Sequence, residues 1–151
     1  MGNWADDAFN RLKNKEGHEH DKRQVDALHR QQVMAEAPHL WNQLVNTIKM
    51  EVAAFSERRP GYLQVFQFDM MEGPSVSVKS PEREFELLFD EPTPRITCVV
   101  RSLMNPTSRE VTGQGAFRFA VSGGKVWIHD ESTQRGRVVD ELATSLLNTL
   151  V

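Results

Sequence analysis

A chain of 151 residues with 39% apolar and 26% charged residues can build one packed core and is too apolar for a wholly disordered polymer. Eighteen basic and twenty-one acidic side chains leave a net charge of −3, which argues against the strongly positive field of a nucleic-acid binder. No stretch approaches the roughly 18 apolar residues of a membrane span, and the first residues lack the apolar core of a signal peptide.

Cys98 is the single cysteine, so an internal disulfide is impossible, and its neighbours Val99 and Val100 mark it as a small buried apolar residue. These features lead to an expectation of cytoplasmic placement. The charge is unevenly spread: residues 1–37 balance at −1, residues 38–92 at −4 and residues 93–151 at +2. The acidic middle and the basic end are expected to pair across neighbouring strands.

In chain order, residues 1–37 read as a polar, partly helical N-terminal arm. Trp4, Ala5, Ala8, Phe9 and Leu12 carry the spacing of a short amphipathic helix. The charged stretch 14–23, which contains Gly17, is expected to be exposed and mobile. A stripe detached from the core pattern suits docking on a partner, so Trp4, Phe9 and Leu12 are candidate contacts with another protein or with a second copy of the chain. Asp6 and Asp7 interrupt the face where anionic lipid would require basic residues, which argues against a membrane surface. Folding of the arm back onto the sheet is the plainer alternative.

Residues 38–151 read as one α+β domain. Pro38 suits the first turn of a helix, and Leu40, Trp41, Leu44, Val45, Ile48, Val52 and Phe55 recur at helical spacing until Arg58-Arg59-Pro60-Gly61 ends the pattern. Whether residues 21–36 form a separate helix or continue into this one is open, because Pro38 permits both. From Tyr62 the period falls to two, and turn signals arrive at short intervals, which predicts an antiparallel meander of about five to six strands. Register constrains the prediction further. A loop over Glu91–Pro94 sets Phe89 opposite Ile96, Leu87 opposite Cys98 and Phe85 opposite Val100, with Asp90 meeting Arg95 and Glu84 meeting Arg101 on the other face. A two-residue turn at Gly123-Gly124 sets Val121 opposite Val126 and Phe119 opposite Ile128. A loop through Asn105-Pro106 sets Val100 opposite Gly113 and Cys98 opposite Gly115, glycines that would let a helix come close or bend the sheet, with the helix contact favoured. The stripe Val139, Leu142, Ala143, Leu146, Leu147 and Leu150 predicts a closing helix, so two amphipathic helices should cover one face of the sheet.

Motifs that carry chemistry are sparse. Gly113-Gln114-Gly115 and Gly123-Gly124 lack the spacing of a nucleotide loop, and His18, His20 and His29 have neither paired cysteines nor an HExxH arrangement, so no cofactor and no metal is expected. Glu82, Glu84 and Glu86 alternate along a strand opposite basic residues and read as a solvated face, which predicts that Arg101→Ala is nearly silent. The outer face of the last strands is less ordinary. Register brings Arg118 opposite His129 and Trp127 opposite Ala120, with Arg95 beside them, and this group could receive an anionic or aromatic ligand or a protein partner. A catalytic reading, with His129 as base and Arg118 holding an anion, has only residue type behind it. The expectation is a non-catalytic interaction or regulatory domain, with a small-ligand site at Arg95, Arg118, Trp127 and His129 as the alternative.

Overall fold

The computed structural model describes residues 3–105 and 107–151. Helix α1 spans Trp4–Arg58 in 55 unbroken residues, and the strands β1 (Gln64–Asp69), β2 (Pro74–Lys79), β3 (Arg83–Asp90), β4 (Arg95–Ser102), β5 (Val111–Ser122), β6 (Lys125–Asp130) and β7 (Arg135–Arg137) precede helix α2 (Val139–Asn148). The class is α+β, and the strands form one antiparallel sheet in chain order. Seven strands are present where five or six were expected. The extra one is a three-residue ribbon of Arg-Gly-Arg, too short to carry an alternation of its own.

The long helix decides between the two alternatives left open at the N-terminus, since Pro38 lies inside α1 and not at its start. Proline removes one donor from the i→i−4 ladder, but here it sits on the exposed side, where the freed carbonyl can meet water. Residues 14–23 continue the helix in place of a mobile link, because Lys15, Glu16, Glu19, Lys22 and Arg23 are good helix formers and Gly17 costs only about 1 kcal/mol. At 1.5 Å per residue, α1 is about 80 Å long.

One cluster joins the buried residues of both helices to the inner face of the sheet. Ala37, Trp41, Leu44, Val45, Ile48 and Val52 of α1 and Leu142, Ala143 and Leu146 of α2 meet Val76, Val78, Phe85, Leu87, Phe89, Ile96, Phe117, Phe119, Val126 and Ile128. Phe89 links the layers, stacking on Trp41 at 5.5 Å and meeting Phe119 edge-on at 5.8 Å. Partial burial of α1 next to this cluster starts at Gln32 and Val33.

The strand pairs match the register argument. Phe85 faces Val100, Leu87 faces Cys98 and Phe89 faces Ile96, while Val100 faces Gly113 and Phe119 faces Ile128. Gly123 and Gly124 both take positive φ, 58° and 75°, as a two-residue hairpin turn demands. At Gly73 (φ 149°) an added Cβ would run into the Phe89 carbonyl, so this turn admits only glycine. The inner glycines do not behave as expected. A Cβ on Gly113 would touch Val100 at 3.6 Å, and one on Gly115 would meet nothing, so neither marks a close helix approach. They lie next to the irregularity at Val100/Arg101, where the long β5 bends away from β4. Of the Asn105-Pro106 loop, Pro106 lies outside the described residues, and Asn105 Oδ1 accepts from the Thr107 N–H at 3.0 Å.

Glu84 is the second correction. It is 2% exposed, and not part of a solvated face. Lys79 reaches it at 3.3 Å and Arg101 at 3.2 Å, and the same guanidinium nitrogen donates to Glu86 at 3.0 Å. A buried carboxylate is tolerable only while its charges are compensated. Arg101→Ala should therefore cost about 1–3 kcal/mol in urea denaturation, from the unpaired carboxylate left behind. Arg95→Ala, which breaks an exposed, solvent-screened pair, should cost less. Equal losses would contradict this assignment.

Candidate functional site

Strands β4, β5 and β6 place Arg95, Arg118 and His129 in one row of the outer face, where Arg95 faces Arg118 and Arg118 faces His129. Trp127 lies two residues along, opposite Ala120. The four predicted residues therefore share a face, although their commitments differ. Arg95 is locked bidentately on Glu131, with Nε donating to Oε1 at 3.0 Å and Nη2 to Oε2 at 2.9 Å. This hydrogen bond and the attraction of Glu131 raise the Arg95 pKa, and the same bond, with Arg118 nearby, lowers that of Glu131. Asp90 faces Arg95 in register, yet Arg95 bonds Glu131. Glu131 was missed by the sequence argument because it follows the last residue of β6, beyond the reach of strand parity.

Asp130, next to Glu131, anchors the turn into β7 by accepting from the Ser132 N–H at 2.9 Å and the Ser132 hydroxyl at 2.7 Å. Burial pushes its pKa up, but these bonds, the Thr133 N–H and the nearby Arg137 outweigh it and hold the carboxyl below the ordinary value.

His129 is half-buried, and its Nε2 is shielded from water without a hydrogen-bond partner. Trp127 is 38% exposed, and the N-terminal arm does not cover it. Part of the reason is local. Its Nε1 donates to the Ser122 carbonyl at 3.1 Å, and Lys125 lies 5.8 Å from the ring centre.

Trp127 also lines a groove of about 690 Å³ between α1 and the rim of β6. Leu40, Gln43, Thr47 and Met50 form one wall, Lys125–Ile128 the floor, and Arg137–Asp140 the other wall. The groove exists because β7 pairs with only Ile128, His129 and Asp130, leaving the rest of that edge bare. Arg118, His129 and Arg95 do not line it, so the predicted cluster and this groove meet only at Trp127.

In the arm, Trp4 is 75%, Phe9 65% and Leu12 54% exposed, and every described residue before Gln32 except Ala8 is exposed. His18 and His20 lie two residues apart in a helix and point to opposite sides. Among the described residues no group of three or more His, Cys, Asp or Glu could hold a metal ion, and no helix is long and apolar enough to cross a membrane.

Cys98 is 5% exposed, and burial pushes its pKa up to about 11. At pH 8 only about one molecule in a thousand carries the thiolate, so a disulfide reagent should label the native protein slowly and the urea-unfolded chain at once. Rapid native labelling at pH 8 would show that the sheet opens at β4. Comparison with protein-family models, with curated proteins and with solved structures finds no match to this chain.

Proposed function

We propose that the chain is a non-catalytic protein-interaction domain whose recognition element is the N-terminal half of α1. The observation that carries this reading is the placement of Trp4, Phe9 and Leu12, three large apolar side chains more than half exposed. They sit on a continuous helix that holds Trp4 about 50 Å along its axis from the core residue Ala37. Because the helix does not turn, these side chains have no route back to the chain's own sheet. A contact that removes them from water must come from another molecule. A reducing, cytoplasmic setting suits the single buried thiol.

The joint substitution Trp4→Ala, Phe9→Ala and Leu12→Ala tests the reading. None of the three contributes to the core, so the melting temperature should hold, while self-association or capture of a protein partner should fall at least tenfold. Unchanged association would remove the arm from the interface.

A second reading places a small ligand in the groove at Trp127, favoured by its concave walls and mixed lining, with an aliphatic wall of Leu40 and Met50 and the cation Arg137. Arg118, His129 and Arg95 would then act only from the adjoining face. A ligand library read by Trp fluorescence and thermal shift should produce a hit that Met50→Glu abolishes. A library without effect on either signal removes this reading.

A further inference from the structure

The two edges of the sheet are built differently. β7 closes one edge with three residues, two of them arginines, and short, charged edges discourage further pairing. β1 closes the other with the six residues Gln64–Asp69 and lacks the usual guards. It has no lysine and no proline, its one charge stands at the last position, and its pairing with β2 runs without a bulge. Every residue of β1 except the half-buried Val65 is exposed. Gln67 and Asp69, on the inner face, are among them, so the helices leave the middle and end of the strand open.

Hydrogen-bond alternation fixes which backbone groups face outwards. In the turn after β1, the Met70 N–H donates to the Gly73 carbonyl at 2.9 Å and the Gly73 N–H donates to the Met70 carbonyl at 3.2 Å. Reciprocal pairs recur at every second residue of an antiparallel ladder, so Phe68, Phe66 and Gln64 exchange bonds with Ser75, Ser77 and Lys79. Val65, Gln67 and Asp69 then turn their N–H and C=O groups away from β2. Pro74 agrees with this phase, since it faces Asp69 and has no N–H to give. Among the described residues nothing donates to or accepts from these six outward groups.

Their spacing is symmetric, and the symmetry selects the occupant. An antiparallel strand can use them only in registers that set outward residues against outward residues. With a second copy of β1 and a two-fold axis at Gln67, Val65 meets the partner's Asp69, Gln67 meets the partner's Gln67 and Asp69 meets the partner's Val65. These are three reciprocal pairs and six hydrogen bonds, made by one surface with itself. An axis at Phe66 or at Phe68 forms only two such pairs between the strands. The full register also sets Phe66 opposite the partner's Phe68, and Phe68 opposite the partner's Phe66, at the positions where cross-strand side chains approach most closely. Phe66 and Phe68 are 37% and 55% exposed and stack at 6.5 Å on the outer face, away from both helices. Pairing joins two such stacks into one cluster of four rings.

We infer that β1 pairs antiparallel with β1 of a second copy about a two-fold axis at Gln67, joining two seven-stranded sheets into one of fourteen strands. This goes beyond the reading of the arm. The contact uses none of Trp4, Phe9 and Leu12, and both arms stay available to a further molecule.

Light scattering on the full-length wild type at rising concentration should reach twice the 17.2 kDa of the chain. Gln67→Pro should hold the protein at the monomer mass, because it removes an N–H that the chain's own ladder does not use and sets a ring on the edge. An unchanged circular dichroism spectrum shows that this variant folds. Gln67→Glu and Gln67→Lys, at an exposed position, test the axis itself and decide alone if the proline unfolds the domain. Each sets like charges face to face and should weaken the dimer about two- to fivefold. An equimolar mixture should recover wild-type association, because the carboxylate of one chain then meets the ammonium of the other.

A wild type that stays monomeric would overturn the inference, as would a dimer that folded Gln67→Pro leaves intact. A mixture no tighter than its components would overturn the axis at Gln67. The joint substitution of Trp4, Phe9 and Leu12 by alanine should leave this dimer intact and weaken only capture of a different protein. A dimer lost in that variant would belong to the arm, and the edge pairing would fall.

Discussion

The uninterrupted i→i−4 ladder of α1 is the constraint from which the rest of the molecule's behaviour descends. Its C-terminal half supplies Trp41, Leu44, Val45 and Ile48 to the core, and its N-terminal half supplies nothing to it. A helix is stiff over this length, so the packed half fixes the direction of the free half. The arm is an exposed helix whose local preferences are good but which lacks the tertiary contacts that normally supply most helical stability. Isolated, such a segment is marginal, and two circumstances favour its persistence. The packed half has already met the cost of nucleation, and each further residue adds only a propagation step.

The sheet shows how a polar residue can be drawn inside by its neighbours. Glu84 belongs by parity to the outer face, yet Lys79, Arg101 and Glu86 crowd it until only 2% of its surface remains. Nearby, Phe66 and Phe68 stack at 6.5 Å, with Lys79 5.1 Å from the centre of the Phe66 ring. Ser75 and Ser77 are buried at 3% and 4% on the same face. The outer face is therefore not a simple polar exterior. At one end it carries the charge cluster around Glu84 and Arg101, at the other Arg95 clamped to Glu131, and between them a band of small and apolar side chains.

Much of the fold was legible because alternation in a sheet is redundant. Each hairpin had to place Phe85, Leu87 and Phe89 opposite Ile96, Cys98 and Val100 on one parity, so a one-residue error in any loop would have turned every later strand inside out. The N-terminus was harder because periodicity detects a buried face, and residues 13–31 bury nothing. A solvated helix and a mobile link look alike to a pattern search, and only the propensities of Lys15, Glu16, Glu19 and Arg23 distinguish them. Pro38 left the start of the helix open for a related reason, since its preference for a first turn does not forbid an exposed interior position. The outer-face group was legible as a set of neighbours but not as a site. Strand parity places Arg95 and Arg118 side by side and says nothing of Glu131, whose carboxylate already occupies the guanidinium on which a ligand would depend.

The contrast between the two halves of α1 also bears on why charge lies where the core face of α1 continues into solvent. A continuous stripe from Leu12 to Met34 would extend the core face of α1 into solvent and bind any apolar surface in any register. Interrupting it with Glu19, Arg23, Asp26 and Arg30 keeps the exposed helix soluble and confines large apolar side chains to its end. Charges on such a face contribute little affinity individually, but like-charge contacts penalise unsuitable surfaces. The same division of labour holds within each molecule. Apolar burial fixes the position of the packed half of α1, while the polarity of its free half limits which surfaces that half can meet.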